Sequence, residues 1–267
     1  MTYACMSYRQ QLYWGNMLNV AIDAAKQAGE LALKYFKSQS ASWRITYKAD
    51  KSPVTKADIE AEKLIRKIIS HNFPDHGIIG EELPPVNPKA KYQWVIDPID
   101  GTRSFIRGIP QWCVLIAVME NNKPIIGVCY YPSQDELFHA QEGKGTFYNG
   151  KRTKVSEVQN FSEAYISYYN LKHFAKLDKV QNLVDICRKT YFSSSNASIS
   201  IDYLLQGKID AYICGHGLLW DFAAPSILIE EAGGKFSDFY GKNSLTSDVG
   251  IFTNGILHNQ VLKLLNS

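Results

Sequence analysis

The sequence predicts a layered α+β fold, and three features predict it. Strand-like apolar stretches and helix-like amphipathic stretches mix along the chain without strict β-α-β alternation. Cys113 to Met119 and Ile125 to Tyr131 read as paired strands, with Glu120-Asn121-Asn122-Lys123 as the turn between them. The chain has 267 residues and 45% hydrophobic content, enough for one large domain or two closely packed halves.

The elements follow in order. Trp14 to Phe36 is helical, because Leu18, Ala21, Ala25, Ala28 and Leu31 or Leu33 fall on one stripe. Lys56 to Asn72 is a second helix with an apolar face of Ile59, Ala61, Leu64, Ile65, Ile68 and Ile69, capped by Thr55 or Asp58. Asp75-His76-Gly77 ends that unit, and Ile78-Ile79 is a short strand running into Gly80-Glu81-Glu82. Trp94-Val95-Ile96 is a buried strand ending at Asp97, where Pro98, with fixed φ and no N–H, takes the chain out of the sheet. Leu137 to Ala140 and Thr146 to Tyr148 extend the sheet. A second unit begins near Asn160, which divides the chain into an N-terminal half, 1–158, and a C-terminal half, 159–267. In the second half Leu177 to Arg188 and Ile199 to Leu205 are helices, Asp210 to Cys214 is a strand, and Asp221 to Ala232 is a helix closed by Gly233-Gly234.

Composition narrows the function. Net charge is only +3, and the basic residues are scattered; the densest run, Gly150 to Lys154, is short and turn-like, so no nucleic-acid partner is expected. The five cysteines are odd in number and contain no C-x-x-C pair, which fits free thiols in a reducing compartment. No run of 18 apolar residues occurs and the N-terminus lacks a secretory pattern, so no membrane partner is expected and the location is read as the cytoplasm. The six histidines show no paired ligand spacing, which argues against zinc.

The chemistry lies in the carboxylates. Asp97 and Asp100 stand three residues apart around a rigid turn that Gly101 permits, so they can converge on one point. Convergent carboxylates raise each other's pKa, and Mg²⁺, which prefers carboxylate oxygens and phosphate, resolves that cost. Gly101 and Thr102 can open a short helix whose amides face a phosphate. A bare D-x-x-D-G segment is as readily a plain turn after a strand. Gly80-Glu81-Glu82 is on its own a solvated corner, and one of its acids at most can share a pocket with Asp97. Asp221 suits an N-cap, which does not prevent it from also facing a cation in a cleft.

Taken together and in order, Val54-Thr55-Lys56-Ala57-Asp58, Gly80-Glu81-Glu82, Trp94 to Thr102, Gly143 to Phe147 with Asn149-Gly150, and Trp220 to Ala224 with Glu231-Ala232-Gly233-Gly234 resemble the inositol monophosphatase family. The resemblance spans nearly the whole chain. It implies a five-layer αβαβα sandwich of the inositol monophosphatase and fructose-1,6-bisphosphatase type, a homodimer, sensitivity to Li⁺, and two or three Mg²⁺ ions. Glu81, Asp97, the Ile99 carbonyl, Asp100 and Asp221 would be the metal ligands. Thr102, backed by Asp58 and helped by Glu81, would orient the attacking water, so Glu81, Thr102, Asp58 and Asp100 would be the catalytic set. Gly101, Thr102, Asp100, Ala197, Cys214 and Asp221 would contact the phosphate or the rest of the substrate.

The implied activity is hydrolysis of a small-molecule phosphate monoester, with inositol monophosphate the leading substrate. Histidinol phosphate and the phosphates of NADP or adenosine bisphosphates are the alternatives, and a metal- or phosphate-binding regulatory protein is the non-enzymatic one. Two departures bear on substrate. Cys214 stands where inositol enzymes place a substrate-binding glutamate, and Phe192 to Ala197 replaces their R-x-x-G-[ST]-A. Thr102 to Trp112 looks instead like the histidinol-phosphate phosphatase branch, whose cationic substrate would want a nearby acid such as Glu163 or Asp202. A haloacid-dehalogenase mechanism is disfavoured, because that family needs D-x-D-G-T and no carboxylate stands two residues before Asp100.

Overall fold

A computed structural model describes residues 7–38, 45–48, 52–195 and 199–267. The chain opens with helix α1 (Tyr8–Ser38), a two-stranded ribbon of β1 (Thr46–Tyr47) and β2 (Pro53–Val54), and helix α2 (Lys56–Asn72). A seven-stranded sheet follows, with β3 (Gly77–Gly80), β4 (Tyr92–Asp100), β5 (Cys113–Glu120), β6 (Lys123–Tyr131), β7 (Glu136–Gln141), β8 (Gly145–Tyr148) and β9 (Lys151–Thr153) in chain order. The one-turn helix α3 (Thr102–Phe105) interrupts it between β4 and β5. Only the β3–β4 pair is parallel; the rest are antiparallel, as short connections require.

The second half adds β10 (Tyr165–Tyr169), helices α4 (Leu171–Lys176) and α5 (Val180–Lys189), β11 (Phe192–Ser195), α6 (Ile199–Leu205), β12 (Ala211–Cys214), α7 (Leu219–Glu231), β13 (Lys235–Ser237), β14 (Gly250–Thr253) and α8 (His258–Leu265). Its five strands form a mixed sheet in the order β11-β10-β12-β14-β13.

Side-chain alternation along β5 shows how the layers stack. Val114, Ile116 and Val118 pack with Met17, Ala21, Ala25, Ile65 and Ile69 of α1 and α2. Cys113, Leu115 and Ala117 face the other way, onto Phe222, Ala223, Ala224 and Leu228 of α7, with Phe236 and Phe252 of the second sheet beyond. That sheet's far face packs Ile166, Ile213 and Ile251 against Phe174, Ile186 and Val261 of α4, α5 and α8. The result is the expected αβαβα sandwich, and a strand buried on both faces is why Cys113 to Met119 reads as one apolar run. The hairpin between β5 and β6 turns on Asn121 and Asn122, both at positive φ (51° and 63°), the backbone of a two-residue primed turn.

Three element expectations need correction. Helix α1 begins at Tyr8, six residues before the expected start at Trp14, and its first turns leave Tyr8 and Leu12 exposed. The helix expected from Leu177 begins only at Val180: α4 ends at Lys176, and Asp178, at φ 54°, lies between the two. Strand β4 does not end at Asp97 but pairs Asp97 with Leu115 and, one residue out of step, Asp100 with Cys113. Pro98 lies inside that bulge, where its missing N–H costs no ladder bond.

Helix α7 meets the first sheet at Gly127, where an added Cβ would lie 2.6 Å from Ile227 Cγ2 and 2.7 Å from the Ala224 carbonyl oxygen. Gly127→Ala is therefore expected to destabilise the fold by about 2 kcal/mol through overpacking between β6 and α7. Urea unfolding should show the midpoint fall with the slope unchanged.

Candidate active site

The bulge in β4 builds the centre of the site. Asp97 Oδ1 accepts the Ile99 N–H at 3.0 Å, which folds the carboxylate back over its own turn. Gly101, at φ 95°, then reverses the chain into α3, a conformation that other residues adopt only with strain. Asp97 and Asp100 thereby face one point across the extra residue. Helix α7 supplies the third acid: ligand atoms of Asp97, Asp100 and Asp221 all lie within 4.8 Å of one another. Asp221 is not the N-cap of α7. Leu218 holds that position, and Asp221 sits three residues on, its carboxylate accepting the Leu218 N–H at 2.5 Å.

Burial, then the charges of Glu81, Asp100 and Asp221, push the Asp97 carboxyl well above the ordinary carboxylate range. Burial and the charge of Asp100 do the same to Asp221. Three hard oxygen donors in a partly dehydrated pocket, each opposing the others' ionisation, fit a small divalent cation such as Mg²⁺.

Glu81 lines the same cavity, of ≈ 240 Å³, and Glu82 does not. Glu81 is placed from two sides. Its N–H donates to the Ile96 carbonyl at 3.2 Å, continuing the β3–β4 pairing. The next two N–H groups, of Glu82 and Leu83, donate to the fully buried Glu62 carboxylate at 2.8 and 3.2 Å, and Arg66 Nε holds Glu62 at 2.7 Å. Lys48 Nζ bridges Glu81 and Glu82 at 2.7 and 2.8 Å. Burial would lower the Lys48 ammonium's pKa, but hydrogen bonds to the two glutamates outweigh it and hold the group firmly protonated.

Thr55 and Asp58 both cap α2: Asp58 Oδ2 accepts the Thr55 N–H at 2.8 Å, and Thr55 Oγ1 accepts the Ala57 N–H at 3.1 Å. The other Asp58 oxygen stands 3.3 Å from Thr102 Oγ1, which also lies 3.1 Å from the Ile99 carbonyl. The single Thr102 proton serves those acceptors, so the hydroxyl's lone pairs are left to accept from a third group. Burial raises the Asp58 carboxyl to about 6. Gly101 and Thr102 line the cavity at the start of α3, where the first helical N–H groups have no intrahelical acceptor.

The structure thus brings Glu81, Asp97, Ile99, Asp100, Gly101, Thr102, Cys214 and Asp221 to one cavity, with Asp58 directly behind Thr102. Ala197 lies outside the described residues. Cys214 donates through Sγ to the His216 carbonyl at 3.1 Å, and burial pushes its thiol up to about 12, so it presents a neutral sulfur where a carboxylate would be charged. Neither Glu163 nor Asp202 is among the described residues lining the cavity: Glu163 pairs with Asn160 at the surface and Asp202 is buried beside Gln206. Sequence reasoning missed Lys48 and Glu62. Glu62 left a signal, an acid on the apolar face of α2 between Ala61 and Ile65 with Arg66 one turn on; Lys48 left none.

The fold and the carboxylate centre define a layered α+β protein whose acids could hold a divalent cation. The chain belongs to the inositol monophosphatase family, whose profile matches residues 14–267. It is 34% identical over 224 residues to a fructose-1,6-bisphosphatase/inositol-1-monophosphatase of Thermotoga maritima, covering 81% of this chain and 83% of that protein. It is 33% identical over 247 residues to a histidinol-phosphatase of Chlorobaculum parvum, covering 88% and 90%. Among solved structures, the extragenic suppressor protein SuhB of Bartonella henselae superposes with a TM-score of 0.87 at 27% identity, covering 94% of this chain and 99% of that one.

Proposed function

We propose that this protein hydrolyses small-molecule phosphate monoesters with Mg²⁺ as cofactor, and that inositol monophosphate is among its substrates. The observation that carries the reading is the convergence of Asp97, Asp100 and Asp221 within 4.8 Å beside Glu81. Those four carboxylates and the Ile99 carbonyl would hold two or three Mg²⁺ ions. Bound there, Mg²⁺ would acidify water and neutralise the phosphoryl oxygens.

The chain's own groups position the reactants. Thr102 Oγ1, oriented by Asp58 and the Ile99 carbonyl, accepts a hydrogen bond from the attacking water, and Glu81 helps to orient that water. The Gly101 and Thr102 amides donate to the phosphate. Asp97 is not a nucleophile in this scheme, and no phospho-aspartyl adduct forms. Sensitivity to Li⁺ and a homodimeric state accompany the reading through the family resemblance, and a cytoplasmic location accompanies it through the cysteine pattern.

The test is phosphate release from p-nitrophenyl phosphate and inositol monophosphate, with Mg²⁺ and after its removal by a chelator. Release should fall to background on removal and return when Mg²⁺ is restored. Turnover that persists without divalent cation, or a covalent phosphate trapped on Asp97, would overturn the proposal.

A further inference from the structure

We propose that Cys113 is a positioning residue for the carboxylate centre: its thiol holds the Asp100 carboxylate in the orientation that receives the cation. The inference rests on the reading that this centre binds Mg²⁺, and it adds a residue that acts through Asp100 rather than on the reactants. Cys113 Sγ lies 3.7 Å from Asp100 Oδ2, and both residues line the cavity. A thiol has one proton and an ionised carboxylate has none, so the sulfur donates and the carboxylate accepts.

The sheet places the sulfur there. Beyond the bulge, β4 resumes its pairing by setting Asp100 against Cys113, so the register shift that shapes the centre also brings the thiol beside it. On the other side, β5 and β6 pair Leu115 with Cys129, which puts Cys129 diagonal to Cys113 on the same face. The two buried thiols hydrogen-bond. With the Cys113 proton directed at Asp100, the Cys129 S–H is the donor between the sulfurs. Cys129 thereby backs Cys113 as Cys113 backs Asp100.

The chemistry of the donor matters. Ligand atoms of Asp97, Asp100 and Asp221 lie within 4.8 Å of one another, and like charges that close favour side-chain rotations that separate them. A fixed donor opposes that rotation for Asp100. An ammonium or guanidinium in the same place would also oppose it, but would cancel the charge that attracts the cation. A neutral thiol orients the carboxylate and leaves its charge intact.

Loss of the donor should therefore weaken cation binding more than turnover. Three substitutions separate orientation from packing. Cys113→Ser keeps a donor on the same Cβ and loses the sulfur's bulk. Cys113→Val keeps apolar bulk and loses the donor, and Cys113→Ala loses both. Mg²⁺ affinity is read twice, from the rise of Tm with Mg²⁺ concentration and from half-maximal activation of p-nitrophenyl phosphate release. Both should weaken by about fivefold or more in the Val and Ala variants and stay within about twofold of the parent in the Ser variant. In the Val and Ala variants, kcat at saturating Mg²⁺ should fall by a smaller factor than the affinity does. A packing role would give the reverse order, with Val near the parent and Ser impaired alongside Ala. That order, or an affinity unmoved in all three variants, would overturn the inference. A parent whose Tm does not respond to Mg²⁺ and whose phosphate release does not require it would instead overturn the Mg²⁺ reading beneath.

Discussion

Asp100→Asn is expected to reduce phosphate release by about a thousandfold, ~4 kcal/mol of transition-state stabilisation, while the protein stays folded. The substitution keeps the side chain's shape and one oxygen, so the bulge between Asp97 and Asp100 can persist. What it removes is a charge that raises the pKa of both Asp97 and Asp221. A carboxyl whose folded pKa lies above its unfolded value costs stability once pH exceeds the unfolded value, because ionisation is then harder in the folded state. Removing the Asp100 charge lessens that cost at neutral pH. The metal-free variant should therefore melt no lower than the metal-free parent. Mg²⁺ should raise the parent's Tm, by linkage to a site that only the folded state possesses, and should raise the variant's much less. The two readouts separate a lost metal site from a damaged fold. Activity within a few-fold of the parent at saturating Mg²⁺ would show that Asp100 is not part of the reacting centre.

Much of the architecture was legible because local and tertiary signals agree. Helix α2 runs from Lys56 to Asn72 as its periodicity and Thr55-x-x-Asp58 cap predict, since the cap and the buried stripe both fix the same register. The β5–β6 hairpin follows from two apolar runs around a polar turn. The sequence misled where a long-range partner decides. Nothing local to Trp94-Val95-Ile96-Asp97-Pro98 reveals that Cys113 pairs again with Asp100 beyond the proline; that pairing belongs to β5. Asp221 looked like an N-cap from its neighbours, but the extended backbone of Leu218 starts the helix three residues sooner, and the carboxylate then reaches back to the Leu218 N–H while facing Asp97 and Asp100. The candidate ligands were readable because Glu81 follows β3, Asp100 ends β4 and Asp221 lies in the first turn of α7. The groups that aim them were not: Glu62 and Lys48 act on Glu81 from 19 and 33 residues away, and no period connects them.

Glu62→Ala is expected to cost about 3 kcal/mol of stability, a fall in Tm of roughly 6–12 °C. The side chain has no solvent exposure and satisfies three donors, Arg66 Nε and the N–H groups of Glu82 and Leu83. Truncation leaves those two amides unpaired and a largely buried guanidinium without its anion, and an orphaned buried partner costs more than the bond itself contributed. Arg66 keeps its hydrogen bonds to the Leu83 and Pro84 carbonyls, so the loop is loosened rather than released. Activity should fall with stability, because Glu81 immediately precedes the two freed amides. Gly80 provides a check on this account. A Cβ there would lie 2.2 Å from Glu62 Oε1, so Gly80→Ala in the parent must displace the carboxylate and should be destabilising. Once Glu62 is alanine, that clash is gone. The double variant should be more stable than the two single losses added together, a coupling that denaturant unfolding of the four proteins measures directly. Strict additivity would mean that the carboxylate does not sit beneath Gly80 as the structure places it.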